Sequence, residues 1–294
     1  MKYCIALIVL LLVFSFFPVQ AALRLDGQDQ ELRTELDFIL HLITREDYDA
    51  SLYLLERIGD AGRDWSDSLN FLSGWVMYRQ KNLELSANKL LKVGKESPVF
   101  YKSHFFGAYN LAHIGQHQEA QKVLYNIPVA SGSMHEALRC LQLSGLALLQ
   151  NDLDEYFKYS MSFVGEHHVM VEQERNMESH RRRLEEARTP SPLVAGMLSA
   201  AVPGLGRIYA GKTSEGIISF LYVAALGFTS YDFYRGGGAK SPMFIISAGV
   251  TGLFYAGNIA GSAVAVRRKN QEFRYEMEQR ILFDMHIPLR NAFN

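Results

Sequence analysis

Cysteine is almost absent from the sequence, with only Cys4 and Cys140 among 294 residues. Cys4 lies before the apolar core of the N-terminal stretch, not at a cleavage point, so it cannot be a lipoprotein anchor. If that stretch is removed, Cys140 remains alone and no internal disulfide can form. The exported part must then be held together by packing. Cys140 lies in an Ala- and Leu-rich helical pattern, which is typical of a small buried hydrophobe.

Motifs of catalysis and metal binding are missing as well. The chain contains no HExxH, no CxxC and no GxSxG. His113 and His117 are four residues apart, but Gly115 between them predicts a turn, and the adjacent His167 and His168 would point to different faces of a helix. We therefore expect no catalytic residues, no metal, no cofactor and no enzymatic activity.

An excess of positive charge is also lacking. Thirty Lys and Arg residues stand against 31 Asp and Glu residues, for a net charge of −1. Nucleic-acid binding depends on neutralising phosphates, so we expect no nucleic-acid partner. The length and an apolar content of 48% suffice for one soluble domain and a membrane part.

Long apolar runs are the main positive feature. Met243–Val266 contains 24 residues without any charge, and a run of about 18 or more suffices to cross a bilayer as a helix. We predict a membrane module at residues 191–266, with a broken segment at 193–210 and spans at 214–234 and 242–266. Two buried helices of a soluble domain are the alternative, although soluble core helices of that length rarely lack charge.

The last apolar run carries small residues on one face. Gly257 and Gly261 form a GxxxG pair and Gly252 lies four residues after Ala248, a spacing that lets helix backbones approach closely in lipid. The same face offers a surface for a homo-oligomer. Asn258 should face protein, and we favour a structural interhelical hydrogen bond over a transport role for it.

The loop Val202–Lys212 precedes these spans. Pro203 should stop or kink a helix near Val202. The pattern GxxxxGK[ST] matches Gly206–Thr213, but a phosphate loop needs a strand before it and an α/β sheet around it, which this chain does not offer. The loop resembles the Pro-Gly-x-Gly-Gln-x-Tyr-x-Gly signature of small bacterial membrane modules related to the two-transmembrane-helix domain family, and the resemblance implies membrane embedding. The loop residues are Pro203, Gly204, Gly206, Arg207 in place of the usual Gln, Tyr209 and Gly211.

The N-terminal residues 1–21 predict a signal peptide. Lys2 supplies the positive start, Ile5–Phe17 the apolar core and Val19–Ala21 a cleavage site. An uncleaved anchor is the alternative, and either way the following domain should be exported. The resemblance to bacterial modules implies a location in the bacterial inner membrane, with the exported domain on the periplasmic side.

Residues 22–165 are helical and repetitive. Four segments align so that their fourth residues are spaced 35, 34 and 36 apart. A period near 34 with a small residue at this point is similar to the tetratricopeptide repeat. That resemblance implies helical hairpins stacked into an α-solenoid, and a generic helical bundle is the alternative. The aligned fourth residues are Ser51, Ser86, Ala120 and Tyr156.

In the register of this resemblance, the first helices of the units line a concave face. Aromatic side chains with a polar tip are frequent binding anchors, which predicts a groove for a protein or peptide. The alternative is that several of them form the core between repeats, as aromatics at helical spacing usually do. The predicted partner-binding residues are Phe71, Trp75, Tyr78, Lys102, Phe105, Tyr109 and His113.

Two charged or amphipathic segments flank the membrane module. Residues 166–190 predict a charged, solvated connecting helix with i,i+4 pairs. Residues 267–294 predict a tail helix that docks on the membrane or on the repeats. Positive residues at 267–269 favour the cytoplasmic side and hence three crossings, whereas Pro203 in mid-segment suits a re-entrant helix. The tail stripe comprises Phe273, Met277, Ile281 and Leu282.

These patterns predict an all-α protein with a signal peptide, a tetratricopeptide-like repeat domain and a C-terminal transmembrane hairpin or triplet. The function they favour is that of a scaffold, tethered among membrane lipids, which binds a protein or peptide partner in the cell envelope. The alternative is an accessory subunit of a transport, lipid-handling or envelope-assembly system, in which the glycine loop contributes to a polar path.

Overall fold

The computed structural model describes residues 30–59, 65–163 and 167–293. Throughout these residues the regular secondary structure is helical, which confirms the predicted all-α class. The predicted signal peptide at residues 1–21 lies outside the described residues.

Within the described residues, eight helices precede the charged connector, and five follow from it onward. The first eight are α1 (30–44), α2 (Tyr48–Ile58), α3 (Ser66–Arg79), α4 (Leu83–Leu90), α5 (Phe100–His113), α6 (His117–Asn126), α7 (Met134–Leu149) and α8 (Leu153–Ser160). The others are α9 (Val171–Glu186), α10 (Pro192–Ala201), α11 (Leu205–Tyr209), α12 (Thr213–Gly237) and α13 (Pro242–Phe293).

The chain forms two compact units. The first unit comprises the described residues up to Leu146 together with residues 289–293 at the end of α13. The second unit comprises Ala147–Pro288. The last turn of α13 therefore belongs to the first unit, although the rest of that helix belongs to the second.

Left-handed backbone marks the turn inside each helical hairpin. A residue with positive φ follows the first helix of each pair, and these residues are spaced 35, 34 and 36 apart, the period that the sequence predicts. Each stands five residues before an aligned fourth residue, so the turns and the repeat are in register. The turn residues are Glu46, Lys81, Gly115 and Asn151.

Small residues let the helices of the first unit pack closely. The hydroxyl of Ser86 in α4 donates to the carbonyl of Gly74 in α3 at 2.7 Å and accepts from Asn110 Nδ2 in α5 at 2.9 Å. A Cβ on Gly74 would lie 2.7 Å from Cγ of Leu90. Ser86, one of the small residues of the repeat alignment, therefore links α3, α4 and α5. An apolar cluster consisting of Leu36, Ile39, Leu55, Leu69, Leu72 and Val76 packs the N-terminal helices of this unit.

In the second unit, α9 and α13 are joined by buried polar contacts. Asp284 accepts from Asn176 Nδ2 at 2.9 Å and pairs with His180 Nε2 at 2.7 Å. His180 and Met177 of α9 are buried, so one face of the predicted solvated connector is packed. The predicted tail is the continuation of α13 without a break, and its residues Met277, Ile281 and Leu282 are buried.

Among the residues that the structure describes, two helices, α12 and α13, are long and apolar enough to cross a membrane. Their large apolar side chains stay exposed, including Phe228 and Leu253, which are each 76% exposed. Core helices of a soluble protein are mostly buried, so this exposure disfavours the soluble alternative. The predicted broken segment forms α10 and α11, with 10 and 5 residues, and neither reaches the length of about 20 residues needed to cross alone.

Candidate functional site

Predicted partner-binding residues of α3 and α5 lie together in the first unit. The ring of Trp75 is 5.3 Å from that of Tyr78 and 6.1 Å from that of Phe71. Lys102 Nζ lies 4.3 Å from the centroid of the Trp75 ring, a cation–π arrangement. We define the aromatic face by these residues and the rings that continue the cluster: Phe71, Trp75, Tyr78, Lys102, Phe105, Phe106 and His135.

Burial differs across the predicted set. Phe105 and Tyr109 are 0% and 7% exposed, so both belong to the packed interior and cannot be reached by a partner while α13 is in place. Burial also raises the pKa of the Tyr109 hydroxyl. His113 is exposed, with its ring 6.0 Å from that of Tyr109. Phe71 and Trp75 remain partly exposed and can contact another molecule.

The end of α13 lies on the aromatic face. The Phe293 ring is 5.9 Å from the Phe105 ring and 6.0 Å from the His135 ring. Lys102 Nζ donates to the carbonyl oxygen of Phe293 at 3.1 Å. Burial lowers the pKa of Lys102 and of His135. The face therefore already holds one turn of helix through a polar contact and two ring contacts.

Sequence reasoning missed His135 and Phe293. The rings of His135 and Tyr101 are stacked with their centroids 4.1 Å apart. Tyr101 was not among the predicted residues, so the repeat register gave no signal for His135. Phe293 is 191 residues from Lys102 in the chain. No local pattern could have placed it on this face.

In the loop at residues 202–212, which contains α11, the backbone packs closely against α10 and α12. Gly204 has φ of 86° and follows Pro203 at the break between α10 and α11. A Cβ on Gly206 would lie 2.0 Å from the carbonyl oxygen of Ala195, and one on Gly204 would lie 2.0 Å from that of Gly216. Only glycine permits these approaches.

Two further loop residues, Tyr209 and Gly211, contribute a hydrogen bond and a left-handed turn. The hydroxyl of Tyr209 accepts from the backbone N–H of Ser191 at 3.2 Å, and Gly211 has φ of 88°. A helix, α10, lies where a phosphate loop would need a strand before Gly206, and α11 occupies positions of the loop itself. Nucleotide binding at Gly206–Thr213 therefore gains no structural support.

The predicted helix-packing residues fall into two groups. A Cβ on Gly252 or Gly257 would meet no heavy atom within 4 Å, so these two glycines make no close helix contact in this chain. A Cβ on Gly261 would lie 2.9 Å from Nη2 of Arg207, so this glycine makes room for the guanidinium. Self-association through the small-residue face stays a prediction.

A cavity of about 450 Å³ lies between α12 and α13. Asn258 is 6% exposed, and neither its Nδ2 nor its Oδ1 has a hydrogen-bond partner. Nε of Arg207 is also buried without a partner, whereas its Nη1 donates to Glu215 at 2.9 Å. The lining residues are Arg207, Ser219, Tyr222, Val223, Leu253, Phe254, Gly257 and Asn258.

The geometry offers binding surfaces. Among the described residues, no group of three or more His, Cys, Asp or Glu side chains could hold a metal ion. The chain matches no protein-family model, no curated protein and no solved structure.

Proposed function

We propose that the protein is a membrane-tethered helical-repeat scaffold that binds a protein or peptide partner in the cell envelope and has no catalytic role. The period of the hairpin turns supports the tetratricopeptide-like reading of the first unit. The length, composition and exposure of α12 and α13 support the tether. The resemblance of the loop to bacterial membrane modules supports the inner membrane, with the repeats on the periplasmic side.

The observation that carries this proposal is the last turn of α13 on the aromatic face. Burying the Phe293 ring against Phe105 and His135 removes apolar area from water. Lys102 adds a hydrogen bond to a carbonyl at the helix end, where carbonyls lack intrahelical partners. A partner helix that ends in an aromatic residue would make the same contacts, so it must compete with α13.

Site-specific photocrosslinking in cells tests the proposal. We would place benzoylphenylalanine at Tyr78, on the aromatic face, and for comparison at Tyr53 of α2, which is 67% exposed and lies off the face. A discrete adduct with one protein is expected from position 78 and not from position 53. Adducts that are the same at both positions, or absent at both, would contradict partner binding at this face.

A second pair of variants tests the competition with α13. Phe293→Ala should free the aromatic face and increase the adduct formed from position 78. Phe283→Ala is the matched control, because Phe283 lies in the same helix and is 62% exposed. Carbonate extraction of the same cells checks the tether, since release of the chain into the soluble fraction would exclude a membrane span.

The cavity between α12 and α13 favours a second candidate function, that of an accessory subunit in a transport or lipid-handling system. Asn258 and Arg207 are among its lining residues, and each has buried polar atoms without a hydrogen-bond partner. Polar groups in a membrane span are costly and are usually functional. Cysteine labelling at position 258 from the aqueous phase would test a water-filled path.

A further inference from the structure

The segment formed by α10 and α11 begins and ends at the same level of α13. At its start, Asn270 Nδ2 donates to the carbonyl oxygen of Pro190 at 3.0 Å. At its end, Gly211 faces Nζ of Lys269, which would lie 3.2 Å from a Cβ on that glycine. Both ends of the segment therefore lie beside two adjacent residues of α13, just past the apolar span that ends at Val266.

A cluster of small buried side chains holds both arms of this segment against the end of the apolar span. It contains one residue from α10, one that follows α11 and two from α13, so both arms contact the same turn of α13. The two arms are also hydrogen-bonded to each other, because the backbone N–H of Ser191 donates to the hydroxyl of Tyr209 at 3.2 Å. The cluster residues are Ala195, Ala210, Ala265 and Val266.

The tip of the segment lies inside the apolar span. The hydroxyl of Ser199, in the last turn of α10, lies 2.7 Å from that of Ser262, which is four residues, or about 6 Å, before Val266. The hydroxyl of Tyr255 donates to the carbonyl of Ala200, and Tyr255 is eleven residues, or about 16 Å, before Val266. Since α10 has only 10 residues, about 15 Å, it reaches the middle of a hydrocarbon core of about 30 Å and does not cross it.

Polar groups at the tip are satisfied by protein, as a turn inside lipid requires. Non-helical backbone at membrane depth is tolerated only where protein covers it, because lipid offers no hydrogen bonds. The backbone N–H of Gly206 donates to the hydroxyl of Ser199 at 3.0 Å, and Tyr255 donates to the carbonyl of Ala200 at the end of α10. Pro203, at the tip itself, has no N–H to satisfy.

The face of α10 that points away from α13 is apolar and uncovered. Leu193, Val194 and Met197 are 73%, 40% and 64% exposed, and α10 carries no charged residue. A surface helix in water would carry polar or charged side chains on this face. Because α10 lies beside the apolar span of α13, the medium that covers this face is the acyl-chain region of the bilayer.

We propose that α10 and α11 form a re-entrant hairpin that inserts into one leaflet, where the exposed face of α10 contacts lipid acyl chains. The membrane module then crosses the bilayer twice, through α12 and α13 alone. Helix α9 and the tail at residues 267–293 lie on one side, and the turn at residues 238–241 lies on the other. This arrangement rests on the proposed membrane insertion of α12 and α13, and it replaces the three crossings that the charge pattern favours.

Labelling of single cysteines in sealed membrane vesicles tests the number of crossings. In a chain that carries Cys4→Ser and Cys140→Ser, one cysteine is introduced by Arg188→Cys before α10, by Gln279→Cys in the tail or by Ala239→Cys in the turn, all at exposed positions. A membrane-impermeant maleimide should modify positions 188 and 279 from the same side and position 239 only from the other. Labelling of 188 and 279 from opposite sides would show that α10 and α11 complete a third crossing, which overturns the proposal.

Electron paramagnetic resonance of spin labels tests the lipid contact. Met197→Cys carries the label on the exposed face of α10, and Tyr53→Cys in the first unit is the matched control, because the two side chains are 64% and 67% exposed. Oxygen, which concentrates in lipid, should relax the label at 197 more strongly than the water-soluble nickel complex NiEDDA does, and this order should reverse at 53. A label at 197 that responds like the label at 53 would place α10 in water and overturn the insertion.

The two measurements separate this arrangement from the tether. If NiEDDA relaxes the label at 197 while position 239 still reacts only from the side opposite to 188 and 279, the re-entrant hairpin fails and the tether stands. If all three cysteines react from one side, α12 and α13 do not cross and both proposals fail. The side from which 188 and 279 react tests the periplasmic placement of the repeats separately.

Discussion

The hydroxyl of Ser86 links three helices, and its removal should destabilise the first unit. It donates to Gly74 O and accepts from Asn110 Nδ2, and Ser86 and Asn110 are fully buried. Ser86→Ala would leave Asn110 Nδ2 without a partner, while Asn110 Oδ1 already lacks one. A buried polar group that loses its partner costs about 1–3 kcal/mol, so we expect a loss of about 2 kcal/mol.

The double variant Ser86→Ala, Asn110→Leu makes this test sharper. It removes the orphaned amide together with the hydroxyl, and replacing both partners by apolar groups of similar shape is often nearly neutral. We therefore expect the double variant to be more stable than Ser86→Ala alone by about 1 kcal/mol or more. Simple loss of packing would instead make the double variant the less stable of the two.

Tryptophan fluorescence during urea unfolding of the full chain in detergent measures these effects. The chain has two tryptophans, Trp65 and Trp75, and both lie in the first unit. With an m-value of about 2 kcal/mol/M, a loss of about 2 kcal/mol lowers the urea midpoint by about 1 M. An unchanged midpoint for Ser86→Ala would refute the role assigned to the buried hydroxyl.

Two further predictions concern the second unit. Gly206→Ala should lower the free energy of unfolding by about 1–3 kcal/mol, because the added methyl group overpacks against the Ala195 carbonyl. Gly252→Ala is the control, since its surroundings are open and the change should be neutral or stabilising. Thermal melting in detergent compares the two variants, and equal melting temperatures would contradict the predicted clash. Hydrogen bonds from Arg181 hold the pKa of Glu178 at about 2, below its ordinary value of 4.5, so its stabilisation is complete above pH 4.5 and is lost as the pH falls towards 2. Glu178→Gln should therefore lose less stability than the wild type on acidification over this range, as followed by circular dichroism.

The hairpin register could be predicted because its causes are local. A turn with left-handed backbone recurs in all four described units, and a small residue follows it by five positions in the first three, whereas the fourth has Tyr156 there. Such local constraints are visible in one sequence. Pro203 likewise marks a break that depends only on its own ring, and α10 ends at Ala201.

The roles of individual glycines could not be predicted in the same way. Spacing singled out Gly252 and Gly257, which have open surroundings, whereas the tightest approaches occur at Gly204 and Gly206. A GxxxG pattern indicates that another helix can pack closely against this one. Whether a helix does pack there depends on the tertiary structure. The contact of Phe293 with Lys102 is equally non-local.

Lys102 determines which end of a helix the aromatic face prefers to bind. Its ammonium group meets the carbonyl end of α13, where the helix dipole places about half a negative charge. A helix arriving with its amino end first would bring about half a positive charge against the same lysine. The aromatic face therefore favours the C-terminal end of a helix over its N-terminal end, whatever side chains the helix carries. A partner helix that replaces α13 should bind through its C-terminal end.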